Sequence, residues 1–457
     1  MNLVNIGLSG LNANRVALDV TAQNVSNVNT PGYTRQQAMM ATVGGVKDNN
    51  LDPGAGVEVT NIRRVTDQFL VKQMWSTNSN ASYASHYTTN MSQMENTLGA
   101  DGFSISSGLD SLYAALHDAT SKPESIPLRQ QIRNEAEAIS RRFNTLNQAL
   151  YSQHKDMHDQ RNAAVANANT LLVNIADINK QIAESSGTGG NPAQLLDKRD
   201  ELINQLSELI EIKTSDQHDG TTQVTLVSGQ PLVIGGEYGT IRAVPRDDDS
   251  YLAQMEVDFD KQTFAVTSAL GGSLGAINDY QNEVLKPYMV ALDDMAAGLA
   301  DMFNGELAKG IDLNGQPGQA LFRYDPEHPA SSLDITTITP EQLALSGDGN
   351  PGNSDVLANL IRLSNRPVSV GRFGNVSIND AFTAIVGETA IKGRQAESDY
   401  QAKTAMSEQA VAARDNIAAV NSDEEASNLM TFSNAHNANM KVISTANNLF
   451  DTVLQLF

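Results

Sequence analysis

His154 and His158 lie four residues apart with Asp156 and Asp159 close by, so one helix face could offer two imidazoles at the spacing of a zinc site. Position 155 is Lys155, where a metalloprotease helix carries its glutamate, and no third ligand is evident, so a solvated helix surface is expected. The seven histidines, at 86, 117, 154, 158, 218, 328 and 436, do not cluster. Asp312-Leu313-Asn314-Gly315 and Asp348-Gly349-Asn350 open like calcium loops, but neither runs on to the glutamate that closes one, and both read as turns. Gly187-Thr188-Gly189-Gly190 lacks the lysine and hydroxyl residue of a phosphate loop and reads as a turn between helices; Gly7-Leu8-Ser9-Gly10 lacks that context too. No nucleophile and base can be paired. The expectation is a chain without catalytic, cofactor-binding or metal-binding residues, and not an enzyme.

Composition narrows the alternatives. The 457 residues include 53 acidic and 31 basic side chains, a formal charge of -22, which disfavours nucleic acid and anionic membrane as partners. Arg63-Arg64 and Arg141-Arg142 are short basic pairs, read as solvated helix faces or salt-bridge donors. Cysteine is absent, which removes disulfides and thiolate-held metal clusters. No apolar run is long enough to span a membrane, and the N-terminal residues lack the pattern of a secretory signal. Length implies two to four domains, and with few aromatics and one tryptophan, Trp75, the cores are expected to be helices packed closely on Ala, Leu, Ile and Val.

Periodicity then sets the order of the elements. Residues 1–66 read as a helix, a turn and a short strand around Val57, Val59 and Ile62, and 67–212 as the first part of a helical rod. Within the rod, Leu128, Ile132, Ala136, Ile139, Phe143, Leu146 and Leu150 mark one face of a helix running from about Ile126 to Glu184. At 213–268 the period changes to two, with Thr222, Val224 and Leu226 alternating against their neighbours and Gly235-Gly236 punctuating a hairpin, so an inserted β domain is expected. The rod resumes over 269–309, where Pro287 should kink the helix or sit near its start. A second β/loop insertion is expected at 310–375, more rod at 376–420, and a C-terminal assembly helix at 421–457. The fold class is multidomain α+β: a long discontinuous α-helical bundle or coiled-coil body with small inserted β domains.

Both ends carry heptad-like apolar stripes. Val4, Leu8, Leu11, Leu18, Ala22 and Val25 form one, interrupted by Arg15; Ala426, Leu429, Met440, Ile443, Phe450, Leu454 and Phe457 form the other, weakened by Ser433, His436 and Asn447. Such stripes fit either two helices of one bundle or helices that meet partner helices.

Between the first stripe and the strand lies Asn24-Val25-Ser26-Asn27-Val28-Asn29-Thr30-Pro31-Gly32-Tyr33-Thr34-Arg35, in which Asn and Thr compete with helical hydrogen bonds, Pro31 fixes a turn and Gly32 frees one. This segment closely resembles the N-terminal signature of the bacterial flagellar rod, hook and hook-associated axial proteins. Asp423-Glu424-Glu425-Ala426-Ser427-Asn428-Leu429 and Ala438 to Ala446 resemble the C-terminal signature of the same family. Gly271-Gly272-Ser273-Leu274-Gly275 and Gly310 to Gly315, with the long helical body, make the chain most similar to the hook-associated members of the hook–filament junction.

That resemblance implies a secreted, extracellular structural adaptor, exported by the flagellar type III apparatus and assembled into a helical ring of its own copies. Its implied partners are the flagellar hook protein, hook-associated protein 3 and a flagellar export chaperone, with terminal helices disordered before assembly. The residues expected to form the inter-subunit seam are Leu8, Leu11, Leu18, Val25, Met440, Ile443, Phe450 and Leu454, and those of the signature turn are Asn27, Pro31, Gly32 and Tyr33. Asp423, Glu424 and Glu425 are expected to complement the positive end of the last helix. The alternative is a secreted effector or adhesin displaying its β insertions as binding modules.

Overall fold

A computed structural model describes residues 2–44, 54–188, 190–267 and 269–455. Phe457 and Gly189 lie outside the described residues.

Helix α1 (Asn2–Ser26) leads through the signature turn into an antiparallel ribbon of β1 (Gln36–Val43) and β2 (Gly56–Arg64), with a bulge between Met39 and Met40. Asp67 starts α2 (Gln68–Gly99) by accepting hydrogen bonds from the backbone N–H groups of Phe69 and Leu70. Then follow α3 (Ile105–Ala119), the 62-residue α4 (Ile126–Gly187) and the antiparallel α5 (Ala193–Leu209). At ~1.5 Å per residue α4 is roughly 90 Å long. Its apolar face is the expected one: Ile132, Ala136, Ile139, Phe143, Leu146 and Leu150 are all buried.

The first insertion contains two antiparallel sheets. One has β3 (Ile212–Asp216), β4 (Thr222–Leu226), β5 (Pro231–Ile234) and β6 (Glu237–Tyr238); the other has β7 (Thr240–Arg246), β8 (Asp249–Phe259) and β9 (Gln262–Ala265). Thr222, Val224 and Leu226 are buried while the residues between them are only half-buried. The chain returns through α6 (Gly272–Tyr280), a π-turn at Gln281–Leu285 and α7 (Lys286–Leu307). Pro287 falls in the first turn of α7, where its missing N–H costs least.

The second insertion is mostly turn, with β10 (Phe322–Arg323), α8 (Pro329–Ser332), β11 (Asp334–Ile335), α9 (Asp355–Arg362), β12 (Val368–Val370) and β13 (Gly374–Val376). Asp312 accepts from the backbone of Asn314 and Gln316, and Asp348 from Asn350 N, Ser346 Oγ and Asn353 Nδ2, so both calcium-like fragments are carboxylate-capped turns. The chain ends in α10 (Ile378–Ala418), packed along α2, and α11 (Ser422–Leu454), packed along α1.

Two apolar cores stabilise the body. The far core joins α3, the first part of α4, α7, the second insertion and the start of α10 around Phe143, Leu112, Phe303 and Phe382. The near core joins Val71 and Trp75 of α2, the later part of α4, α5 and both β sheets around Leu172, Ile175, Leu206, Val233 and Val257.

Two surface expectations need correction. His154 is not solvated: it is 1 % exposed, and its Nε2 lies 3.1 Å from either carboxylate oxygen of Asp249. His158 is half-buried, its ring meeting Tyr251 edge-on. The reason is that one face of α4 carries polar residues dedicated to the β insertion. Arg161 donates to Tyr251 O, Asn169 exchanges hydrogen bonds with Ile241, and Asn179 does so with Thr222. Second, Arg63 and Arg64 are on strand β2 rather than a helix face; the salt-bridge reading holds for Arg64, which is buried between two aspartates of α5.

Candidate assembly interface at the paired termini

Small residues decide how α1 meets α11. Along α1 the buried positions are Gly7, Gly10, Ala13, Ala17, Val20, Thr21 and Asn24. A Cβ on Gly7 would come within 2.8 Å of Ile443 Cγ1, and one on Gly10 within 2.7 Å of Asn439 Oδ1. With Gly7 beside Ile443 and Arg35 paired to Glu424, the two helices run antiparallel. Their backbones approach because there is nothing between them.

The larger apolar residues are consequently turned outward. Leu3 and Leu8 are each 49 % exposed, Val25 44 %, Met440 45 %, Phe450 63 % and Leu454 58 %. Leu11 and Leu18 are half-buried. Ile443 differs from the other residues of the expected seam: part of its side chain covers Gly7 of the same chain. Leu449, Phe450, Val453 and Leu454 lie beyond the point where α1 begins, and all four are more than half exposed.

The signature turn is a clamp centred on a residue the sequence reading did not single out. Asn24, 1 % exposed, donates to Gln36 O at 2.9 Å and accepts at Oδ1 from Gln36 N at 3.0 Å and from Tyr33 Oη at 2.9 Å. Burial, then the nearby Asp197 and Glu425 carboxylates, push the Tyr33 hydroxyl up to about 12, so it remains a donor at neutral pH. Asn27 O accepts from Thr30 N at 2.9 Å, Thr30 O accepts from Tyr33 N at 3.2 Å, and Gly32 takes φ +77°. That conformation is left-handed, where a side chain would be strained. Pro31 is exposed at the tip.

Three elements hold the clamp to the body. Arg35 N donates to Ala418 O at the end of α10 at 2.8 Å. Thr34 N donates to Asp197 of α5 at 3.4 Å. Arg64 pairs through Nε with Asp197 at 2.8 Å and through Nη2 with Asp200 at 2.6 Å, and its Nη2 also donates to Thr34 Oγ1. Burial raises the Asp197 carboxyl from its ordinary value despite Arg64. Asp197 and Asp200 lie three apart on one face of α5, so both carboxylates reach the same guanidinium.

At the start of α11, Asn421 caps the helix by accepting from the N–H groups of Asp423 and Glu424. Glu424 pairs with Arg35, and Glu425 is 2 % exposed against α1. Glu424 thus binds the N-terminal segment as well as facing the positive helix end, and Glu425 is buried near enough to act on the Tyr33 hydroxyl.

Among the described residues no group of three or more His, Cys, Asp or Glu side chains could hold a metal ion, and no helix is long and apolar enough to cross a membrane.

Residues 91–322, half the chain, match the family model of the flagellar hook-associated protein FlgK helical domain. Residues 5–34 match that of flagella basal body rod proteins, and 415–456 the C-terminal model of flagellar basal body rod FlgEFG proteins. The chain is 26% identical over 544 aligned residues to flagellar hook-associated protein 1 of Escherichia coli K12, covering 100% of both chains. It is 26% identical over 487 residues to the protein of that name from Bacillus subtilis 168, covering 97% of this chain and 96% of the relative. Its fold is similar to the flagellar hook junction protein FlgK from Burkholderia pseudomallei, with a TM-score of 0.67 at 14% identity, over 75% of this chain and 99% of that one.

Proposed function

This chain belongs to the FlgK family of flagellar hook-associated proteins, and from that premise we propose that its paired termini polymerise, so that the protein links hook to filament as a structural adaptor. The observation that carries this reading is the apolar surface left uncovered on the terminal pair: Leu8 and Val25 on α1, and Met440, Leu449, Phe450, Val453 and Leu454 on α11. At roughly 25 cal/mol per Å² of apolar area, covering that stripe with neighbouring copies supplies a sizeable driving force for ordering and stacking the helices.

The seam consists of Leu8, Leu11, Leu18, Val25, Met440, Phe450 and Leu454, with Ile443 shared between partner and intramolecular contact. Asn27, Pro31, Gly32 and Tyr33 set the turn from that seam back to the body. Segments 1–66 and 421–457 are the assembly units, and the helical body carries the insertions 213–268 and 310–375 outward. The terminal segments match models of rod proteins, whereas residues 91–322 match the helical domain of hook-associated proteins, which supports a shared polymerising end with a specialised middle. As an extracellular axial component the adaptor meets the hook protein on one side and hook-associated protein 3 on the other, after export with a chaperone on its C-terminal helix. The effector or adhesin alternative has no counterpart among these relatives.

The test is a strain lacking the gene, complemented with the full chain or with a version lacking residues 441 to 457. Hooks without filaments in the deletion and truncated strains, with filaments restored by the full chain, is the expected result. Normal filaments in the deletion strain would remove the junction role.

A further inference from the structure

Arg15 breaks the outward apolar stripe of α1. It stands four residues after Leu11 and three before Leu18, on the face those side chains share, and it is exposed. Among the described residues its guanidinium makes no hydrogen bond or ion pair. Apart from Arg15, Lys441 is the one lysine or arginine on either terminal helix, so the charge is not part of a general basic face. Taking an apolar stripe out of water with a guanidinium standing in it is costly unless the covering surface brings an anion to that point.

The same chain carries such an anion elsewhere. Glu425, in the first turn of α11, is 2 % exposed, and its carboxylate makes no hydrogen bond or ion pair among the described residues. It lines a pocket of ≈ 310 Å³ where α1, β1 and α11 meet. Arg35 lines that pocket too, but its guanidinium is paired to Glu424. Ala17, Val20, Met40 and Phe432 give the pocket apolar walls, and Thr21 and Asn428 add a hydroxyl and an amide to its lining. At ~30 Å³ per water it has space for roughly ten, more than one arginine side chain displaces. Apolar walls suit the methylene stem of an arginine, and oxygen acceptors suit its planar head.

Within one chain the two charges stay apart, because Arg15 precedes Thr21 by six residues, about 9 Å along α1, and belongs to the outward stripe. We propose that Arg15 of one copy enters this pocket on the next copy and pairs there with Glu425. The inference rests on the reading of the stripe as the seam between copies, and it adds what apolar contact lacks: apolar surfaces slide, whereas a single buried charge pair fixes register. Donor and acceptor lie on different surfaces of the same chain, so the contact is heterologous and passes from copy to copy, as a ring or stack of subunits requires.

The test uses the strain lacking the gene, complemented with full-length variants, with filaments per cell counted by electron microscopy and unassembled protein assayed in the culture fluid. Arg15→Glu sets two acids together and cuts filament number about tenfold while the variant still leaves the cell; adding Glu425→Gln restores roughly half of it. Lys441→Glu, the same charge change on the same helix pair, leaves filaments in place. An equal loss from Lys441→Glu, or no rescue by Glu425→Gln, overturns the pairing. Should Arg15→Glu fail to leave the cell, a cysteine pair supplies the reading, since the chain has no cysteine of its own. Arg15→Cys with Glu425→Cys, treated with a short bismaleimide in isolated hook preparations, gives a ladder of linked subunits, and monomer alone refutes the contact. Full filaments with Arg15→Glu, beside their loss with Leu8→Asp and Phe450→Asp together, would keep the seam and remove the pair; full filaments in both would remove the seam itself.

Discussion

The terminal pair and the far core use apolar residues in opposite ways. In the far core Leu112, Phe143, Leu116, Phe303 and Phe322 are at most 1 % exposed, so every large side chain already has its neighbours. In the α1–α11 pair the inward positions of α1 from Gly7 to Ala17 are glycine and alanine, and most of the large apolar side chains, Leu8, Val25, Met440, Phe450 and Leu454 among them, stand in solvent. A region saturated within one chain needs only itself to fold; a region that spends its small residues inward and its large ones outward is completed by other molecules. The difference lies in where the volume points, not in how much apolar residue each region has.

The contrast can be broken by charge. Leu8→Asp together with Phe450→Asp should abolish polymerisation, read by electron microscopy, and leave thermal unfolding of the body where it was; a shared loss would mean the stripe belongs to the monomer's own core. The converse substitution, Phe143→Ala, should cost about 3–5 kcal/mol in denaturant unfolding while leaving the polymerised ends competent at permissive temperature. Substitutions that act inside the terminal pair should be smaller. Gly10→Leu overpacks against Asn439 and should cost about 1–3 kcal/mol of helix pairing, measured as loss of amide protection in α1 and α11 but not in α4. Asn24→Ala strands the N–H and C=O of Gln36 at a similar cost of about 1–3 kcal/mol, and its amide protection should fall together with that of Arg35.

The gentlest probe is pH. Burial holds the His154 imidazole below its ordinary 6.5, against the pull of Asp249. Below that value the unfolded chain takes up a proton that the folded one resists, so stability should decline as pH falls through and below 6.5. Asp249 itself is raised by burial, but the hydrogen bonds from Lys286, His154 and the Tyr251 amide outweigh this and hold it at about 2. Its contribution is therefore present above the ordinary 3.8 and lost between there and about 2. His154→Gln should flatten the first slope and shrink the second only by the share of its hydrogen bond to Asp249, with Lys286 and the Tyr251 amide still in place, followed by fluorescence of Trp75 in the near core.

Much of this architecture was legible because it rests on periodicity. Ile132 to Leu150 announced a buried helical face, and Thr222, Val224 and Leu226 announced a strand, since geometry alone repeats those residues. His154, Arg161, Asn169 and Asn179 were not legible, because a polar residue on a helix looks the same whether it meets water or the backbone of an inserted sheet. The turn residues Asn27 to Tyr33 could be read by their backbone chemistry, yet Asn24, which ties them, looked like one more helical position. For Arg64 a salt-bridge role was legible but its partners were not, because Asp197 and Asp200 come from α5, more than a hundred residues later.

The antiparallel pairing of α1 and α11 has a mechanical consequence. Residues nearly a chain length apart, such as Arg35 and Glu424, stand side by side, while Gly7 and Ile443 meet towards the free ends. Because both ends leave from the same extremity of the pair, tension applied between them peels the helices apart one contact at a time instead of loading all contacts in shear. The pair would therefore yield at low force and long before α4, so a lone subunit threaded through a narrow passage by either end surrenders its polymerising segments first.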